Sequence, residues 1–124
     1  MKGKLILTVD HSTSVRQLVC ALLREAGYEA VGAANGEEAL ARAQDLTADL
    51  VVTSMHLRDI DGAHLIRCLR AQPNYQDTPI LVLTSETSEA AQAECLAAGA
   101  NLWLNKPCAP HLLLEAVGAA LNGG

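Results

Sequence analysis

Apolar runs of four to six residues alternate along this chain with longer segments whose apolar residues recur at helical spacing. The short runs are 4–9, 29–33, 49–54, 79–84 and 101–104; the helical segments are 14–26, 37–46, 60–71, 86–98 and 110–121. Five strands and five helices in strict alternation require right-handed β-α-β crossovers, and so a doubly wound parallel sheet with helices on both faces. The punctuation agrees. Ser12, Thr13 or Ser14 can cap the first helix and Gly27 can end it in the left-handed conformation, with Asn35-Gly36 and Gly99 expected to act similarly. Pro110 suits the first turn of the last helix, where its missing N–H is not needed.

At 124 residues, half of them apolar, the chain makes one α/β domain, 1–124, able to bury a core without disulfides or metal. Cys20, Cys68, Cys95 and Cys108 form no C-x-x-C pair and no metal-ligand spacing, which fits a reducing compartment. Met1 to Lys4 leads straight into the first strand and no apolar run is long enough to cross a membrane, so a cytoplasmic protein is expected. The end, Asn122-Gly123-Gly124, implies a stand-alone protein or an excised domain. A net charge of -5 without a Lys/Arg cluster argues against direct nucleic-acid binding. Trp103, Tyr28 and Tyr75, with no Phe, offer no platform on which bases could stack.

In a doubly wound sheet ligands lie beyond the carboxyl ends of the strands, near the point where strand order reverses. Those ends carry Asp10-His11, Thr53-Ser54-Met55-His56, Thr84-Ser85 and Asn105-Lys106-Pro107, polar groups expected to meet in one crevice. The run Ile6-Leu7-Thr8-Val9-Asp10-His11-Ser12 resembles the first strand and acidic pocket of the receiver domain of bacterial response regulators. Asn35-Gly36-Glu37-Glu38-Ala39-Leu40, Asp49 to Ser54 followed by Asp59-Ile60-Asp61-Gly62, then Thr84 and Lys106-Pro107 resemble its later motifs in order. The resemblance implies a CheY-like, flavodoxin-like sheet of strand order 2-1-3-4-5 and a place in two-component or phosphorelay signalling.

It also marks departures. Ser54 stands where such domains carry the aspartate that accepts phosphate, His11 where they carry a second acid, and Arg58 where proline is usual. Magnesium requires hard oxygen ligands, and of three carboxylates implied by the resemblance only Asp10 remains, so magnesium binding is expected to be weak or absent. A serine hydroxyl is a poor nucleophile without a base and cannot form an acyl phosphate. Lys106 is expected to pair with Asp10, leaving the domain stable without metal. Asp59 and Asp61 read as turn and cap residues, not as substitute acceptors. Thr84 and Trp103 fall on the family's switch positions. Asp10, His11 and His56 form a candidate transition-metal set, since imidazole suits softer ions.

Leu112, Leu113, Leu114, Ala116, Val117, Ala119, Ala120 and Leu121 exceed the stripe that one buried helix face needs, which implies a partner or homodimer surface on helix 4, strand 5 and helix 5. With no glycine-rich phosphate cradle and no nucleophile–base pair, an enzyme is not expected. The sequence thus points to a pseudo-receiver adaptor that binds a signalling protein without aspartyl phosphorylation. Two alternatives stand beside it. One is a regulator using another acceptor, or competing for a histidine kinase through Val15, Leu18, Val19 and Leu22; the other is a metal or ligand sensor.

Overall fold

The computed structural model describes residues 3–122; the terminal residues Met1, Lys2, Gly123 and Gly124, with the expectations attached to them, lie outside that range. Five strands, β1 (Leu5–Val9), β2 (Glu29–Ala33), β3 (Leu50–Thr53), β4 (Ile80–Thr84) and β5 (Leu102–Asn105), form one parallel sheet of order β2-β1-β3-β4-β5. Five helices connect and follow them: α1 (Thr13–Glu25), α2 (Gly36–Asp45), α3 (Gly62–Arg70), α4 (Glu89–Ala98) and α5 (Pro110–Leu121).

The strands pack on both faces, so their side chains divide by parity. Ile6, Leu50, Val52, Leu81 and Leu83 meet Val19, Leu23, Leu113 and Val117 of α1 and α5. Leu7, Val9, Val51, Ile80 and Val82 meet Ala39, Leu65, Ile66, Leu69 and Cys95 of the other three helices. A register slip of one residue would exchange these sets, and so the two-faced core fixes the register.

Helix starts are set by side chains that satisfy free amides. Ser12 accepts from Val15 N, Asn35 from Glu38 N, Asp61 from His64 N and Ser88 from Ala91 N. The last two correct the expected boundaries. With Asp61 and Ser88 as caps, α3 starts at Gly62 and not at Ile60, and α4 starts at Glu89 and not at Glu86. Asn35-Gly36 differs too: it opens α2 with no left-handed residue, and a Cβ on buried Gly36 would run into the Ile60 side chain. Gly27 and Gly99 do take positive φ, 99° and 122°.

Two residues with no expected role organise the amino-terminal edge of the sheet. Tyr75, in a 3-10 turn at Pro73–Tyr75, is fully buried; its hydroxyl accepts from Ala48 N and is shared between the carbonyls of Ala43 and Leu46. The guanidinium of Arg70 donates to the carbonyls of Tyr75, Thr78 and Gly99 at 2.7 Å each, and to Asn101 Oδ1. Among the described residues no helix is long and apolar enough to cross a membrane.

Candidate functional site

Strand order reverses between β1 and β3, and the loops leaving those strands part there to open a crevice. Asp10 follows the last residue of β1, and Ser54 follows the last residue of β3. Both are buried, as is Thr84 at the end of β4. Lys106 enters from the far side, immediately after β5.

Asp10, 3 % exposed, is held at every oxygen. Oδ2 lies 2.7 Å from Lys106 Nζ, Oδ1 accepts from Ser12 N at 2.9 Å, and its carbonyl accepts from Arg16 Nη1 at 2.6 Å. The expected Lys106–Asp10 pair is therefore present, joining positions 96 residues apart. In a water-poor pocket such a pair needs the added amide donor to offset desolvation, and Ser12 supplies it.

Ser54 is fixed by its backbone. Its N–H donates to Val9 O at 3.0 Å, and its carbonyl accepts from Thr53 Oγ1 at 3.0 Å. The following loop folds back so closely that a Cβ on Gly62 would lie 2.6 Å from Ser54 O. Thr84 Oγ1 accepts from Glu86 N at 3.2 Å, and its carbonyl accepts from Lys106 N at 2.8 Å. Trp103, half-buried on β5, packs against the core face made with α2, α3 and α4.

His11, His56 and Asp10 are not brought together as a metal set. His11 Nδ1 lies 3.2 Å from the His56 carbonyl and 3.9 Å from Asp10 Oδ1, and the His56 imidazole turns outward, with Nε2 2.7 Å from Glu86 Oε1. Among the described residues no three His, Cys, Asp or Glu side chains are grouped to hold a metal ion. Glu86 escaped the sequence reading because a glutamate there also suits a helix start; its partner lies 30 residues away, beyond any local signal. The His56 hydrogen bond, ahead of the Ser88 amide, holds the Glu86 carboxyl below its ordinary range.

Asp59 and Asp61 act locally, as expected. Asp61 caps α3. Asp59 reaches back to α2, where its carboxylate accepts from Gly36 N and Glu37 N at 2.8 Å each. These amides, Gly36 first, hold its carboxyl below the ordinary value. The β3–α3 loop is thereby tied to the start of α2.

Two apolar surfaces flank the crevice. Val15, Leu18, Val19 and Leu22 of α1 line a groove of about 510 Å³ with Leu83, Ser85, Lys106 to Cys108, Pro110 and Leu113. Leu18 is 59 % exposed there, while Val19 is buried in the groove floor and so offers less surface than its place on α1 suggests. On α5 the apolar surplus is narrower than the sequence implies. Leu113 and Val117 are buried, Leu114, Ala116, Ala120 and Leu121 pack partly against the core, and Leu112, 49 % exposed, and Ala119 are left on the surface.

The comparisons agree with this architecture. The response regulator receiver domain description matches residues 6–118. The phosphate regulon transcriptional regulatory protein PhoB of Pseudomonas aeruginosa is 33 % identical over 98 % of this chain, which spans 53 % of that relative. A chemotaxis protein CheY homolog of Campylobacter jejuni is 30 % identical, over 96 % of this chain and 93 % of its own length. The crystal structure of the chemotaxis protein CheY4 of Vibrio cholerae superposes with a TM-score of 0.92 at 40 % identity, covering 96 % of this chain and 99 % of that one. From the first strand into the last helix the agreement is continuous, and the chain belongs to the family of response regulator receiver domains.

Proposed function

We propose that this receiver domain is a signalling adaptor that acts through protein contacts without aspartyl phosphorylation. The observation that carries the reading is Ser54 at the carboxyl end of β3, the family's acceptor position, beside an Asp10 whose carboxylate is already engaged by Lys106 and the Ser12 amide. A hydroxyl cannot form the labile acyl phosphate on which transfer between histidine and aspartate depends. The donor set also does not fit magnesium. The ion would need several oxygens free to converge, yet Asp10 is occupied and Glu86 is drawn away by His56. In this reading the domain is neither an enzyme nor a nucleic-acid binder, works in the cytoplasm, and meets a partner or a second copy through α4, β5 and α5, where Leu96, Leu102 and Leu112 are exposed.

A second reading is favoured by the α1 groove, whose exposed Leu18 lies beside Lys106 and Ser85 at the crevice. There the domain competes with a phosphorylatable relative for a histidine kinase. Trp103 is the sole tryptophan and lies on β5, the strand that delivers Lys106, so its fluorescence is the readout chosen for a change at the crevice. Magnesium and then acetyl phosphate should leave emission flat and add no phosphate mass, whereas the double variant His11→Asp/Ser54→Asp should respond to both. A saturable response of the unaltered protein, with a phosphorylated species by mass spectrometry, would overturn the adaptor reading. Binding to a kinase that Leu18→Asp abolishes would favour the second.

A further inference from the structure

The mouth of the crevice holds a bridge that the reading above does not use. All four polar atoms of Glu86 are engaged. Its N–H donates to Thr84 Oγ1, its carbonyl accepts from Asn105 Nδ2 at 2.7 Å, Oε2 accepts from Ser88 N at 3.0 Å, and Oε1 meets His56 Nε2 at 2.7 Å. His56 is anchored in turn, by an antiparallel backbone bridge to Asp61 and by the contact of its carbonyl with His11 Nδ1. One residue therefore joins the loops leaving β3 and β4 to the end of β5.

That bridge matters because few apolar residues hold the helix that follows. Of the ten residues of α4 only Cys95 is buried, and Ala91 and Ala98 pack partly against the core, so the apolar contacts that hold most helices are few. The amino-terminal end depends on its cap, Ser88, whose own amide is bound by the carboxylate that His56 holds. We propose that the His56–Glu86 pair is a latch that fixes the β4–α4 loop across the crevice and ties it to β5. The position of α4, on the face offered to partners, is then set by two side chains of the protein itself. This inference goes beyond the adaptor reading and holds whether or not Ser54 accepts phosphate.

Backbone hydrogen exchange at Ser88 and Glu86, referred to the slowest amides of β3, reads the latch directly. A solvent-exposed side-chain hydrogen bond is modest, so His56→Ala should accelerate these two amides by about threefold, acting through the Glu86 carboxylate that it holds. Glu86→Ala should accelerate the Ser88 amide further, because it removes the acceptor. In the Glu86→Ala background His56→Ala should then add nothing. The latch is overturned if His56→Ala leaves both rates unchanged, or if it accelerates them equally with and without Glu86.

Discussion

Replacing Lys106 by Met keeps the stem and removes the charge, leaving the Asp10 carboxylate with the Ser12 amide as its remaining donor. Removing one partner of a buried pair costs about 3–5 kcal/mol, chiefly because the other charge is left uncompensated. Asp10 meets that condition at 3 % exposed, but the Lys106 side chain is 24 % exposed and partly screened. Discounted for that screening, the cost falls just below this range, roughly 2–3 kcal/mol. With a urea slope of about 1.5 kcal/mol per M, the unfolding midpoint should fall by roughly 1.3–2 M. Asp10→Asn should cost less, about 1 kcal/mol, since the freed ammonium can extend toward water along its flexible stem. The double variant should lie close to Asp10→Asn, because it leaves no orphaned charge. The reasoning is refuted if the two single variants cost the same, or if their effects simply add.

Three further outcomes follow from other sites. Thr8 is 2 % exposed and its hydroxyl has no hydrogen-bond partner among the described residues, so Thr8→Val should raise stability by about 1 kcal/mol in urea unfolding; a loss would mean that the hydroxyl is satisfied in solution. Tyr75→Phe should cost about 1–3 kcal/mol by orphaning Ala48 N and the carbonyls at the end of α2, and an unchanged midpoint would show that water replaces the hydroxyl. The Asp59 carboxyl is depressed by the Gly36 and Glu37 amides, so its contribution is present above the ordinary value of 3.8 and is lost as pH falls through the lower folded value. Asp59→Asn should therefore flatten the loss of stability below pH 3.8, and an acid limb as steep as that of the unaltered protein would assign it to other carboxylates.

The sheet was legible because each strand is a compact apolar run, and the polar residues that end four of the five, all but β2, mark the crevice. Asp10, Ser54, Thr84 and Lys106 can all be read this way, since a strand end needs no knowledge of its neighbours. Beyond the Lys106–Asp10 pair, which the family resemblance implied, residues whose role lies in a distant partner were not legible. Glu86 reads as helix and serves a loop, Arg70 reads as an ordinary helix terminus and binds three loop carbonyls, and Tyr75 lies in a short turn that no periodicity announces. The proposed metal set failed for a related reason. Spacing brings His11 and His56 to the same rim, but which way an imidazole turns depends on the carboxylate that waits for it.

Arg70 has a consequence for how such a chain can change over generations. Its planar fork joins the end of α3, the turn at Tyr75, the approach to β4 and the entry to β5, a geometry that lysine cannot reproduce. The rim it braces is the one opposite the crevice. With one end of the sheet clamped independently, exchanges at the other, such as Ser54→Asp or His11→Asp, should leave the fold that presents them intact. Rigidity at the idle end is thus expected to underwrite change at the working one.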